Sequence, residues 1–427
     1  MNDSDFQPVD VSALYARAQT DRVAPSLYND PTLFEAELER IFYKTWIWVA
    51  HESELRNPGD FRTTTIGRQP VIVVRDTAGT VRVLENRCRH RGATVCEQHQ
   101  GNARGFTCPY HSWSYTLEGK LRALPYREGY DGVVEKGELP LRNLRVGIYH
   151  GLIFASFNQE VEPLEDFLGG AKPWIDLFMK QGAGFPIKAN GEHKFKFKGN
   201  WKIQLENTTD LYHFPVVHKS WLRTIDETTV AMITRFMTSE DAFCRSLGNG
   251  HSLAVLVPDI VDLDKDDGAP IPERFEALAA SLAQQYPPAQ VRRIVRSLTG
   301  VGFNLNLFPN LALSMAFFRV LRPISVDETE IRHVALGMDG GPDEANRVRL
   351  RIHENFQGPF GFGSPDDAEA WERVQRGSHA GPDVPILVNR GLNREHVGAN
   401  GEKTAHATDE TGMREAYAKW RSMMEQA

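Results

Sequence analysis

Cys88-Arg89-His90 and Cys108-Pro109-Tyr110-His111 decide how this chain is read. Residues 91–107 separate the two motifs, a gap of 17. Each motif supplies one thiol and one imidazole and lies in a strand–loop–strand passage. Two thiolates suit one iron and two imidazoles suit another. Imidazole is neutral where thiolate is anionic, so mixed ligation raises the reduction potential above that of a four-cysteine cluster. A Cys2His2 zinc site is the alternative, but zinc fingers place a cysteine pair before a histidine pair, whereas here each pair mixes the two. The other cysteines, Cys96 and Cys244, fall outside the pattern and are expected to be plain buried thiols.

Outward from these motifs the chain alternates in character. Residues 71–75, 81–85 and 148–157 are β-branched or aromatic runs punctuated by Gly59, Gly79, Gly119 and Gly151, which predicts a small all-β unit over about 58–157. Before it, 31–45 reads as an amphipathic helix with Leu33, Leu38, Ile41 and Phe42 on one stripe and Pro31 at its start. After it, helices are expected at 163–180, 200–220, 271–299, 343–357, 365–377 and 409–426, with strands at 192–198, 302–322 and 328–339. The fold class is therefore α+β.

The 427 residues suffice for two or three domains without disulfide staples. Hydrophobic residues make up 41% and charged residues 25%, as in an ordinary globular protein. The net charge of −7 argues against nucleic acid as a bulk electrostatic partner. No apolar run approaches a membrane span, and the start Met1-Asn2-Asp3-Ser4-Asp5 lacks a secretory pattern, so a cytoplasmic protein with no membrane partner is expected.

A second constellation lies in 200–218, where Asp210 and His213 stand three apart and His218 follows beyond Pro215. Residues three apart are neighbours on a helix face, and Pro215 is expected to disturb the helix. Two histidines and one carboxylate leave open positions on a non-haem iron for dioxygen. A histidine of this kind standing alone is more simply a satisfied core residue.

Taken together, the CRH…CPYH pair with the following HSWSY, and the stretch NxxDxYHxxxxH over 207–218, resemble the motifs of the Rieske non-haem iron ring-hydroxylating oxygenases, large (α) subunit. The resemblance implies that Cys88 and Cys108 ligate one iron of a 2Fe–2S cluster, and that His90 and His111 ligate the other. It implies that His213 and His218 hold a mononuclear Fe(II). The third ligand is expected after the Gly- and Phe-rich stretch 355–364. Asp367 is chosen, with Asp366 as the alternative, read otherwise as a solvated helix-start carboxylate. Asp210 is left off the iron. By the resemblance it bridges His213 to the cluster histidine His111 of a neighbouring subunit, fixing both imidazoles. Asn207 and Tyr212 are expected close to the iron without ligating it.

The resemblance implies three segments: an N-terminal helical segment, 1–45, packing on the catalytic domain; a small all-β Rieske domain, 46–160; and a catalytic domain, 161–427, with an antiparallel sheet flanked by helices. It implies a terminal oxygenase component that uses dioxygen and external electrons, from a ferredoxin or reductase, to mono- or dihydroxylate an aromatic substrate. A homotrimer is implied, with or without a small β subunit. Phe303, Leu305, Leu307, Phe308, Met315 and Phe317 are candidate pocket residues from 302–322, each equally readable as sheet core, and Phe362 joins them from the Gly-rich stretch. Arg319 follows an apolar run, where a charge needs a partner, either a substrate carboxylate or a structural Asp or Glu. The aromatic carboxylate is the favoured substrate. The rival reading is a Rieske electron-transfer protein without oxygenase chemistry, which needs the first β unit alone.

Overall fold

The strand Gln69–Arg75 buries Val71, Ile72, Val73 and Val74 in succession. Such a run suits a strand covered on both faces. The computed structural model containing it describes residues 18–133, 136–265, 268, 270–381 and 383–425. Residues 1–17 of the expected N-terminal segment lie outside them. The chain divides into two units, Phe42–Phe167 and Met1–Ile41 with Leu168–Ala427.

The unit Phe42–Phe167 contains three antiparallel sheets among its described residues. Asp60–Ile66, Gln69–Arg75 and Val81–Glu85 form a meander extended by Gln100–Asn102. Phe106–Thr107, Ser114–Tyr115 and Leu121–Ala123 form the second sheet. Ile47–His51 joins the third. The single strand expected at 148–157 is instead a hairpin, in which Tyr149 pairs with Leu152. His150 and Gly151 between them both take positive φ, the turn geometry that matches strand twist.

In the second unit, the helix Pro31–Glu37 is capped by Asp30, whose side chain accepts from the N–H groups of Thr32 and Leu33. It passes into a π-helical turn over Leu38–Phe42, three residues short of the expected end. Buried Glu37 accepts from Trp201 Nε1 at 2.7 Å and Trp420 Nε1 at 2.8 Å, and from Lys202 Nζ at 2.5 Å. One carboxylate thus ties this helix to Trp201–Thr209 and Thr411–Glu425.

The unit is built on a sheet of nine strands among the described residues. These are β1 (Ile187–Phe197), β2 (Phe243–Gly248), β3 (His251–Val255), β4 (Phe303–Leu307), β5 (Leu311–Ser314), β6 (Phe317–Ser325), β7 (Glu328–Met338), β8 (His396–Val397) and β9 (Lys403–His406). Their order is β1-β7-β6-β5-β4-β3-β2-β9-β8, every pair antiparallel. The span 302–322 thus resolves into three strands. Asn304 and Asn306 on β4 reach out from the sheet and donate to the Thr208 and Leu205 carbonyls, seating the helix Trp201–Thr209.

Several expected helices are shorter. The span 163–180 splits into Leu164–Leu168 and Lys172–Met179 around Gly169 and Gly170, and 271–299 splits into Glu276–Leu282 and Pro288–Ser297. Asp343–Gln357 and Ser364–Gly377 stand as expected to within a residue.

Candidate metal centres and substrate cavity

The two Cys–His loops of the first unit share one backbone design. Cys88 N–H donates to Ala93 O at 2.8 Å and Gly92 N–H to Cys88 O at 3.0 Å. Cys108 N–H donates to Trp113 O at 2.8 Å and Ser112 N–H to Cys108 O at 3.0 Å. The fifth residue of each loop takes positive φ, at Gly92 (+76°) and Ser112 (+58°). Two like turns, each closed onto its cysteine, present two thiols and two imidazoles. Both cysteines are buried. His90 Nδ1 and His111 Nδ1 face each other at 3.1 Å. A buried thiol pair and a convergent imidazole pair fit the ligand set of a mixed 2Fe–2S cluster.

Neighbouring side chains fix these ligands. His90 stacks on Trp113 at 4.9 Å and its Nε2 lies 3.3 Å from Tyr130 Oη, which leaves Nδ1 for metal. Buried Tyr115 accepts from Arg89 N–H at 3.0 Å and lies 3.3 Å from Cys88 Sγ. A thiolate carries no hydrogen, so on a ligating Cys88 the Tyr115 hydroxyl is the donor. Sequence reasoning missed Tyr115, Trp113 and Tyr130. Cys96 is half-buried, contrary to expectation, whereas Cys244 is buried as expected.

In the second unit His213, His218 and Asp367 are brought together, with one ligand atom from each lying within 4.8 Å of the others. Asp367 Oδ1 lies 3.4 Å from His213 Nε2 and 3.2 Å from His218 Nε2. Burial alone would raise the Asp367 carboxyl, but His213 and His218 beside it hold it far below the usual carboxylate range. Burial would likewise lower His213, yet the Asp210 and Asp367 carboxylates push it up to about 9. Two imidazoles and one ionised carboxylate fit a facial triad for iron(II).

The path to that geometry differs from the expected continuous helix over 200–220. Helix Trp201–Thr209 stops before Asp210, and short helices resume at Phe214–Val217 and Lys219–Leu222. The break is made by Asp210, whose Oδ1 accepts from Tyr212 N–H at 2.6 Å and His213 N–H at 3.3 Å. Pro215 then sits in a first turn, where its missing N–H costs nothing. Asp210 Oδ2 also lies 3.3 Å from His213 Nδ1, turning Nε2 toward Asp367. Asn207 Nδ2 lies 3.2 Å from both His213 Nε2 and Asp367 Oδ1. Tyr212 points the other way: it is 58% exposed, with the Arg390 guanidinium 3.8 Å over its ring.

The triad opens into a cavity of about 350 Å³ with a largely apolar lining. Phe303, Met315 and Arg319 line it, with Val301, Leu256 and Phe356. Phe317 does not; it is buried against His333 and His353, both at 5.3 Å between ring centres. Phe362 is outside the cavity and 42% exposed, and Phe356 holds the wall, 5.0 Å from His218. Leu305 and Leu307 are buried sheet core, and Phe308, buried in the turn after β4, packs on Trp201 at 6.2 Å between ring centres. No ion pair is recorded for Arg319 among the described residues. Its Nε donates to His333 Nε2 at 3.1 Å, Nη1 to Thr208 Oγ1 at 3.3 Å, and Nη2 to Gln357 Oε1 at 3.4 Å. Thr208 and Gln357, and the Asn304 and Ser314 that line the same cavity, went unread in the sequence.

A cluster-binding β unit and a two-His, one-carboxylate site beside an apolar cavity define a Rieske oxygenase carrying a mononuclear iron. Comparison with known proteins agrees. The model of the Rieske [2Fe-2S] domain matches residues 45–140, and that of the ring hydroxylating alpha subunit (catalytic domain) matches 187–426. The chain is 33% identical to the anthranilate 1,2-dioxygenase large subunit of Acinetobacter baylyi over 88% of its own length and 84% of that protein. It is 31% identical to the large oxygenase component of salicylate 5-hydroxylase from a Ralstonia species, over 95% of both. A solved structure of naphthalene 1,2-dioxygenase with indole bound superposes with a TM-score of 0.80 at 27% identity, covering 95% of this chain and 92% of that one. The chain belongs to the family of ring-hydroxylating oxygenase α subunits, whose members carry a 2Fe–2S cluster and Fe(II). No helix among the described residues is long and apolar enough to cross a membrane.

Proposed function

We propose that this chain hydroxylates an aromatic ring bearing a carboxylate, and that Arg319 receives that carboxylate. The observation that carries the reading is the state of Arg319. Guanidinium has five N–H donors. Three are spent on the neutral acceptors His333, Thr208 and Gln357, which leaves one on each terminal nitrogen. A carboxylate can take both, bidentate. Burial disfavours the Arg319 charge and Asp367 supports it, so a cation waits at the cavity wall without a hydrogen-bonded counter-ion. Relatives named for anthranilate, toluate and 2-halobenzoate dioxygenases, all acting on ring carboxylates, support the same substrate class.

The chain's own residues divide the work. Cys88, His90, Cys108 and His111 hold the cluster. His213, His218 and Asp367 hold the iron. When bound, these groups supply electrons singly and a site for reducing dioxygen. Asn207 steadies Asp367, Asp210 orients His213, and Phe303 flanks the ring. We assign the electrons to an external ferredoxin or reductase. We assign the assembly to a trimer, with or without a small subunit, in which Asp210 faces His111 of a neighbouring copy.

The test compares ring carboxylates with their neutral amides, using Arg319→Gln and the wild-type enzyme with reductase supplied. The variant should raise KM for the carboxylate by about tenfold or more, as expected for a lost charged hydrogen bond, with much less effect on the amide and with iron content retained. Equal losses for carboxylate and amide would contradict the assignment.

A further inference from the structure

We infer that the substrate ring carries, besides its carboxylate, a hydroxyl or amino group that donates a hydrogen bond to Ser314. This deepens the reading of the cavity given above and rests on it. Ser314 on β5 and Asn304 on β4 are direct cross-strand partners, and both line the cavity. Asn304 Nδ2 donates to the Thr208 carbonyl at 3.2 Å. A carbonyl accepts and cannot donate, so this bond fixes the amide and turns Asn304 Oδ1 toward Ser314. Ser314 Oγ therefore spends its one hydrogen on Asn304 Oδ1, at 2.5 Å. Its lone pairs remain, and no donor to them is recorded among the described residues. The Ser314 side chain is thus locked as an acceptor on the cavity wall.

An acceptor so placed repels a carboxylate, a carbonyl or an ether, and rewards an O–H or N–H. Arg319 is its complement, a donor that cannot accept. It stands on β6, where its neighbour across the strand pair is Ala312, two residues before Ser314, so both side chains leave the same face of the sheet. Arg319 and Asn304, the partner of Ser314, also converge on Thr208, Arg319 donating to its Oγ1 and Asn304 to its carbonyl. A ring with its carboxylate on Arg319 therefore presents the substituent on the same edge, ortho or meta, to Ser314.

The experiment is calorimetric titration of the iron-loaded enzyme with the 2- and 3-isomers of hydroxy-, amino-, methyl- and methoxybenzoate, together with phenol and aniline. At one of the two positions, the hydroxy or amino compound should bind about tenfold or more tighter than its methyl and methoxy counterparts. Ser314→Ala should abolish that preference, and Ser314→Thr, which keeps the hydroxyl, should restore it. Iron content reports that each variant is folded. Equal binding of hydroxy, methyl and methoxy compounds by the wild type, or an unchanged preference in Ser314→Ala, would overturn the inference. Phenol binding as tightly as hydroxybenzoate would instead overturn the carboxylate reading and leave the role of Ser314 standing.

Discussion

Asp366 and Asp367 are neighbours in the sequence with opposite surroundings. Asp366 is partly exposed and accepts from Ser220 Oγ at 2.7 Å. Asp367 is 2% exposed and faces two imidazoles. Asp367→Ala is therefore expected to lose the mononuclear iron and all turnover while keeping the cluster's visible and EPR signals, because two neutral imidazoles hold iron(II) poorly. Asp366→Ala should keep the iron, with its helix start weakened by about 1 kcal/mol at most. Iron analysis of both variants checks this, and loss from Asp366→Ala alone would reverse the choice. The same contrast governs the residues misread at this scale. Phe362 and Phe317 have the right chemistry for a pocket, and Tyr212 stands next to an iron ligand in the sequence. Whether each faces the site depends on its neighbours, namely the helix start at Gly363, the ring-stacking Arg390, and the helix Asp343–Gln357 that brings His353 onto Phe317.

Among the elements, the break at Asp210 does most to build the site. A continuous helix, at 3.6 residues per turn, would have set His218 about 140° around the axis from His213. By accepting the Tyr212 and His213 N–H groups, Asp210 fixes the turn between one helix and the next. Asp210→Ala should cost about 1 kcal/mol of stability, as for lost side-chain-to-backbone hydrogen bonds, and lower iron affinity. Asp210→Asn, which retains an acceptor oxygen, should restore the stability but leave electron delivery slowed, because an amide cannot orient His213 as a carboxylate does. A thermal melt alongside single-turnover reoxidation separates the two effects, and full-rate reoxidation in Asp210→Asn would rule out its electronic role. Much of this level was legible in the sequence. The Cys–His motifs, the two histidines and the helices 343–357 and 365–377 rest on residue type and period, which are local. The hairpin at His150-Gly151, the split of 302–322 into three strands and the polar group around Arg319 were not. They depend on turn conformation or on strands and helices distant in sequence, as when Thr208 meets Asn304 and Arg319.

At the scale of the molecule, the catalytic unit keeps a titratable group in its core. Glu206, next to Asn207, is buried between Tyr28 and Tyr417, which donate to its Oε1. Burial pushes its carboxyl up from 4.5 to about 7, against the opposing pull of those hydroxyls and Lys202. The folded value lies above the unfolded one, so its contribution is full below pH 4.5 and is lost as pH rises through 7. Glu206→Gln should flatten the fall in stability across that window, by about 3 kcal/mol at most, as read from denaturant unfolding at pH 5 and pH 8. An equal pH dependence in both proteins would show that Glu206 is not the group responsible.

The presence of both metal-binding sets in one chain separates an oxygenase from an electron carrier, and labelled dioxygen reads that difference directly. With reductase, a ring carboxylate and 18O2 supplied, mass spectrometry of the product should show a hydroxylated ring acid carrying 18O. Consumption of electrons and dioxygen with the ring acid recovered unchanged across a panel of hydroxy-, amino- and unsubstituted benzoates, or oxygen drawn from water alone, would contradict the account.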